Sequence, residues 1–154
     1  MANTITLKGK KISLRKEADA AAAITPGQLL EEDTNGEVQP HSTAGGSAQP
    51  AFAIENGMIG DDIDVDYSVG DNVHYRVFNK GAEVYAFLAN GENVSIGDLL
   101  ESDGAGALQA YTAQAVDEGG TGTYTIYDNA IVVKAKEALN NTSGSPSRIK
   151  VEVV

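Results

Sequence analysis

Hydrophobic and polar residues alternate along much of the chain, which is the pattern of β-strands with one buried face. The alternation is regular over 73–77 and 149–153, and Ile63 and Val65 stand between acidic residues in the same way. Residues 84–88 (VYAFL) form a short apolar run, as a strand covered on both faces does. We therefore predict a mainly β fold, either a small β-barrel or a β-sandwich, with little helix.

Other segments depart from this alternation. Residues 16–23 (KEADAAAA) predict a single helical turn that ends before Pro26. Residues 130–139 (AIVVKAKEAL) fit a strand or a helix, and three consecutive β-branched residues favour a strand at the start. Proline and glycine content predicts loops at 40–50 and 117–124.

One phrase occurs twice. Residues 24–39 read ITPGQLLEEDTNGEVQ, residues 94–109 read VSIGDLLESDGAGALQ, and seven of the sixteen positions are identical at an offset of 70. In each copy a Gly ends a turn, two Leu enter a strand, an acidic turn follows and an apolar residue starts the return strand. The fold is therefore predicted to contain two hairpin-like repeats that share a core, and a repeated hairpin suits a protein that presents a surface.

Composition limits the chemistry. The chain has 154 residues, enough for one domain with its own core, and no Cys, so disulfides, thiolate metal sites and a Cys nucleophile are excluded. No apolar run approaches the roughly 20 residues needed to cross a bilayer. The first residues lack the apolar stretch of a secretory signal, so we expect synthesis in a cytoplasm.

Charge is unevenly distributed. The net charge is −11, yet the first 16 residues hold five basic residues and no acid. The acidic remainder should repel nucleic acid and anionic membranes, so neither is an expected partner. Apolar residues alternate with polar ones in the basic leader, which suits an extended arm or an edge strand. We predict a basic N-terminal arm over 1–17 attached to a single β-rich domain over 18–154.

Two roles for this arm stay open, besides a third as a nucleic-acid tail. It pairs with its own acidic domain or frays in solvent, or it reaches an acidic surface on a partner. In the second case nine residues form the interface: Ile5, Leu7, Lys8, Lys10, Lys11, Ile12, Leu14, Arg15 and Lys16. Removing residues 2–16 should then abolish partner binding and leave the domain folded.

An acidic run over residues 61–66 is a candidate metal site. On a strand, Asp62, Asp64 and Asp66 lie on one face and offer carboxylates to Ca²⁺. A straight strand places alternate residues about 7 Å apart, too far for one ion. We therefore favour a solvated polar face and predict no metal and no cofactor.

Catalytic signals are weak. Only His41 and His74 offer a base near neutral pH, His41 in a flexible loop and His74 on the outer face of its strand. No serine-hydrolase elbow or metal-binding His pair accompanies them. No catalytic residue is predicted, and the chain is interpreted as a non-enzyme. The tyrosines are interpreted as half-buried strand residues, with a platform for sugars as the alternative: Tyr67, Tyr75, Tyr85, Tyr111, Tyr124 and Tyr127.

Several phrases resemble a known family. These are VGDNV (69–73), the N-x-G-A-x-V run (79–84), SIGDLLESDGAGAL (95–108) and AIVVKAKEAL (130–139) with the strand after it. Together they resemble the head decoration, or capsid cement, proteins of tailed bacteriophages.

The resemblance implies a β-rich structural protein of the virion. Such proteins bind the outer surface of an assembled capsid, often as trimers at three-fold or quasi-three-fold positions, so the expected partners are the major capsid protein and further copies of the chain. A flexible N-terminal arm commonly engages the shell in this family, and that role maps to residues 2–16. The competing interpretations are a carbohydrate- or receptor-binding β module of a tail or cell-surface appendage, and a hydrolase that uses His41 or His74.

Overall fold

The computed structural model describes residues 2–113, 127 and 129–154. Within them, no helix is long and apolar enough to span a membrane, and the one helix is a three-residue 3₁₀ turn at Lys10–Ile12. The loop predicted at 117–124, and Tyr124 with it, lies outside the described residues. The strands are β1 (Thr6–Lys8), β2 (Leu14–Asp19), β3 (Leu30–Glu32), β4 (Val38–Pro40), β5 (Ala51–Ala53), β6 (Asn72–Val77), β7 (Glu83–Leu88), β8 (Asn93–Val94), β9 (Leu99–Ser102), β10 (Leu108–Ala110), β11 (Val133–Ala135), β12 (Leu139–Asn140) and β13 (Ser147–Val153).

Five strands close into a barrel, in the order β7, β10, β9, β11 and β13, with β13 pairing back onto β7. All these pairings are antiparallel except the short parallel contact of β10 with β7. On β7 and β13 alternate residues point inward, so Val84 lies opposite Val151 and Ala86 opposite Ile149. The predicted mainly β, barrel-type fold is confirmed. That the whole domain is built from two repeats stays a prediction.

The buried side chains form two clusters. The first fills the barrel and includes Phe52 and Phe78, whose rings meet edge to face with centroids 6.1 Å apart. The second lies beside the sheet formed by β2, β6 and β5, in that order, and includes Leu30 and Val38 of the β3–β4 hairpin. Strands β7 and β13 each pack one face on the first cluster, which accounts for the alternation of buried and less buried residues along them.

The segment before residue 18 belongs to these sheets. Ile5 is fully buried in the barrel cluster, β1 pairs with β7, and β2 pairs with β6 along its whole length. The extended arm predicted for 1–17 is therefore wrong for this chain, because the leader alternates with the same period as any paired strand. The helical turn predicted at 16–23 is also wrong, since residues 14–19 bond to β6 as a strand.

Both copies of the repeated phrase fold into hairpins, β3–β4 and β9–β10. The Asp33 carboxylate accepts the N–H groups two and four residues further on, at 2.8 and 3.0 Å. Asp103 does the same at 2.7 and 2.9 Å. Gly36 and Gly106 have φ of 80° and 83°, which favours glycine. The matched residues therefore specify matching turns.

The barrel interior should dominate stability, and two adjacent leucines of β9 test this. Leu100 is fully buried, whereas Leu99 is 40 % exposed. Leu100→Ala should lower the free energy of unfolding by about 2–5 kcal/mol, because it leaves a cavity in the core. Leu99→Ala, the matched control, should cost about 1 kcal/mol or less. Urea denaturation measures both, and equal losses would contradict the assignment of the barrel interior.

Candidate partner-binding face

The basic leader turns sharply between the two sheets. After β1, Gly9 adopts φ of 86°, and a Cβ there would lie 2.7 Å from the Cβ of Ala82. The 3₁₀ turn that follows is held by Arg76, whose Nη1 donates to the Lys10 carbonyl at 3.3 Å and to the Ser13 hydroxyl at 2.9 Å. Asn79 donates to the Ile12 carbonyl. The turn therefore has a fixed position on the domain.

The nine predicted interface residues separate by exposure. Ile5 is fully buried and is wrong as an interface residue, because its side chain fills the barrel core. Leu7 and Lys16 are half-buried. The remaining six are exposed: Lys8, Lys10, Lys11, Ile12, Leu14 and Arg15.

Four of these residues lie on the 3₁₀ turn or just after it, and we call the surface they form the N-terminal corner: Lys10, Lys11, Ile12 and Leu14. Ile12 is 49 % and Leu14 65 % exposed, so the corner carries apolar surface. Within the described part of the chain, neither lysine of the corner has an ion pair. The corner thus presents unneutralised positive charge beside apolar surface.

The basic residues on either side of the corner are neutralised within the chain. Lys8 pairs with Glu83 at 2.8 Å and Arg15 with Glu17 at 3.3 Å, while Lys16 pairs with Glu32. Hydrogen bonds from Lys16 and, with a smaller effect, from the Tyr75 hydroxyl lower the pKa of Glu32. The same bond with Glu32 raises the pKa of Lys16. Unpaired positive charge in the leader is therefore concentrated at the corner.

Strand β6 is buried on both faces. Val73 and Tyr75 pack into the second cluster, whereas His74 and Arg76 point to the opposite side and are only 6 % and 9 % exposed. The prediction that His74 lies on an outer face is wrong, because the 10–15 segment and residues 54–58 flank that side. His74 accepts a hydrogen bond on Nδ1 from Arg15 Nη2 at 2.9 Å.

His41 lies in a loop, as predicted, but its side chain is buried. Its Nε2 donates to the Ser47 carbonyl at 3.0 Å, and its Nδ1 lies 2.8 Å from the Ser102 hydroxyl. Glu31 lies 3.7 Å from the ring. This places a serine, a histidine and a carboxylate together, but Ser102 is fully buried. The contact connects the β3–β4 and β9–β10 hairpins.

The acidic run at 61–66 forms turns, so the strand predicted there is wrong. Asp62 accepts the N–H of Asp64 at 2.9 Å, and the Asp64 carboxylate pairs with Arg148 at 2.6 Å. These bonds draw the two carboxylates toward different partners. In the described part of the chain, no group of three or more His, Asp or Glu side chains is placed to hold a metal ion.

The tyrosines fall into two groups. Tyr67 and Tyr75 are buried, and burial raises the pKa of Tyr67 to about 12 while its hydroxyl donates to the Ile54 carbonyl at 2.8 Å. Tyr111 and Tyr127 are 37 % and 38 % exposed and flank a shallow cavity of about 500 Å³ next to Leu99. Tyr85 belongs to neither group, because it is half-buried against the barrel cluster, and among the described tyrosines only Tyr111 and Tyr127 are exposed.

Comparison with known proteins identifies a similar fold. No protein-family model and no curated protein matches the chain. Among solved structures, the fold is similar to the base of the head fiber protein gp8.5 of bacteriophage phi29, with a TM-score of 0.54 and 12 % sequence identity. The match covers 92 % of this chain and 94 % of the other.

The Gly9 turn should be required to position the corner, and Gly81 provides a matched control. Both have φ of 86°, but a Cβ at Gly81 would meet no atom within 4 Å. Gly81→Ala should therefore lower the free energy of unfolding by about 1–2 kcal/mol, the cost of holding an alanine in the left-handed conformation. Gly9→Ala should cost about 1–3 kcal/mol more because of the contact with Ala82. Thermal unfolding compares the two, and an equal cost would mean that the turn is not tightly packed.

Proposed function

We propose that this chain is a structural protein of a phage virion that binds the outer surface of an assembled capsid and stabilises it. The observation that carries the proposal is the likeness of nearly the whole chain to the base of a phage head fiber protein. The resemblance of its turn sequences to head decoration proteins points the same way. The partner in this proposal is the major capsid protein, and the chain acts as a trimer at three-fold or quasi-three-fold positions.

The N-terminal corner is the part of the surface best suited to this contact. Its lysines have no acid to neutralise them in the described chain, while the chain as a whole carries −11. A basic, partly apolar projection on an acidic body favours approach with that face toward an acidic partner. Ile12 and Leu14 add apolar area that becomes buried on contact.

Trimerisation would turn a small contact into stable attachment. One corner of four residues is far smaller than a standard interface of about 800 Å² per partner. Three corners on one trimer bind with a high effective concentration after the first is in place. Occupancy of a shell would then depend steeply on the strength of each corner.

Substitutions at the corner test this function better than deletion of residues 2–16. The deletion would remove Ile5 from the core and β1 from β7, so it would test folding and not binding. Lys10→Gln together with Lys11→Gln should weaken capsid binding by about tenfold or more, because two unpaired charges are lost and the loss multiplies across a trimer.

Cosedimentation with assembled shells of candidate phages measures the effect. The matched control is Lys136→Gln with Lys150→Gln, which removes two exposed charges far along the sequence and should leave binding close to that of the wild type. Equal binding of both double variants would reject the corner as the contact. Failure of the wild-type chain to bind any shell would count against the proposed function itself.

A second candidate function is carbohydrate binding at the exposed tyrosines. Tyr111 and Tyr127 flank the 500 Å³ cavity, and aromatic rings of this kind stack on sugar faces. Tyr111→Ala should then abolish a glycan-dependent change in tyrosine fluorescence, while Tyr75→Phe, at a buried ring, should retain it. A glycan array with no bound glycan would exclude this function.

A further inference from the structure

Among the residues that the structure describes, no carboxylate pairs with the buried guanidinium of Arg76. The residue is 9 % exposed, and its partners are one carbonyl and one hydroxyl, both on Nη1. The comparable Arg148, with a side chain 12 % exposed, has the Asp64 carboxylate at 2.6 Å. A charge that is buried without an opposite charge is costly, and such groups are normally paired or hydrogen-bonded throughout.

Arg76 lines a cavity, and part of its guanidinium is unused. Among the described residues, no hydrogen bond is made by its Nε or Nη2, because both of its bonds are on Nη1. The adjoining cavity has a volume of about 460 Å³ and is lined by Lys10, Arg15 and His74 together with Arg76. Three cations therefore converge on one concave space in a chain of net charge −11.

Two carboxylates moderate this charge. Glu55 lines the cavity and accepts from the Ile5 N–H at 3.1 Å and from Thr4. Glu17 pairs with Arg15 at 3.3 Å. Counted without His74, the three cations and two carboxylates leave one positive charge. A single negative charge balances it, whereas phosphate, at about −1.5 to −2, would exceed it.

We propose that this cavity binds a carboxylate, which pairs with the free Nε and Nη2 of Arg76. The fork of a guanidinium matches the two oxygens of a carboxylate in a bidentate pair, and such charge-assisted bonds are strong. Lys10 and Arg15, at the rim, add attraction and hold the ligand over the buried fork. If the proposed function is correct, the carboxylate is that of an Asp or Glu side chain on the capsid protein. The binding of the carboxylate itself does not rest on that function.

A titration with sodium acetate at constant ionic strength tests the site in the purified full chain. Two-dimensional NMR follows the backbone amides of residues 10–15 and 74–76 and the Arg76 Nε–H. Wild-type signals should shift along a saturable curve. Arg76→Gln should weaken acetate binding by about tenfold or more, because a hydrogen-bonded ion pair is lost. Arg76→Lys should restore only part of it, since a lysine lacks the bidentate fork.

Variants of the exposed residues that line the cavity test the site even if the Arg76 variants fail to fold. Lys10→Gln and Arg15→Gln are exposed substitutions and should each weaken acetate binding severalfold with an unchanged unfolding temperature. Lys11→Gln is the matched control, because Lys11 neighbours Lys10 but does not line the cavity. It should bind acetate as the wild type does. Equal effects of Lys10→Gln and Lys11→Gln, or no saturable shift in the wild type, would overturn the site.

Two further measurements test whether the ligand is a carboxylate and whether that carboxylate belongs to the capsid protein. Inorganic phosphate that binds more tightly than acetate at the same ionic strength would overturn the carboxylate assignment. In the capsid cosedimentation assay, Arg76→Gln should reduce binding in parallel with its loss of acetate affinity. Retained capsid binding by a variant that no longer binds acetate would overturn the role of the capsid carboxylate. That result would leave the proposed function to be judged on the N-terminal corner.

Discussion

The second edge of β7 constrains the structure more than any other feature. One edge of this strand closes the barrel on β13, so the N–H groups on the other edge need separate acceptors. The Tyr85 N–H donates to the Ile5 carbonyl at 2.9 Å, and the Phe87 N–H donates to the Gly27 carbonyl at 3.2 Å. Just after the strand, the Ala89 N–H donates to the Leu108 carbonyl at 2.8 Å. A buried N–H without an acceptor costs about 1–3 kcal/mol. Three distant segments are thereby attached to one strand, and the first of them is the leader.

This attachment changes what the basic leader can do. A free arm loses conformational entropy when it binds, at about 1–2 kcal/mol for each residue fixed. Here the leader is already ordered by β1 on one side, by β2 on the other and by Arg76 beneath the turn. The corner therefore meets a partner without that cost, which is the advantage of a preorganised surface. Arg76 contributes to both the turn and the cavity, because its Nη1 holds the turn and its side chain lines the cavity.

The sequence predicted the parts of the fold that depend on local interactions. The hairpins follow from Asp and Gly at fixed positions, as Asp33 and Asp103 show. The β13 strand follows from alternation and the β7 strand from a short apolar run, although only alternate residues of β7 are buried. The sequence alone did not predict which strands pair over long distances along the chain. Hydrophobic and polar residues alternate in the same way in a free leader and in a leader paired with a strand far along the chain. Here Lys8 bonds to Glu83, 75 residues away. His74 was predicted to face solvent because it is a polar residue of an alternating strand. It is buried because other segments of the chain lie over that side of β6. The basic residues of the interface were identified from charge, but the cavity depends on which segments fold over β6.

Salt limits what the charge asymmetry can achieve. At physiological ionic strength the screening length is about 8 Å, so the acidic body and the basic corner influence a partner only near contact. Exposed pairs formed there would contribute about 1 kcal/mol or less each. A bond made inside the cavity is less screened, because Arg76 is 9 % exposed. Affinity that resists salt would therefore come from the buried fork, whereas the lysines of the corner mainly set the direction of approach.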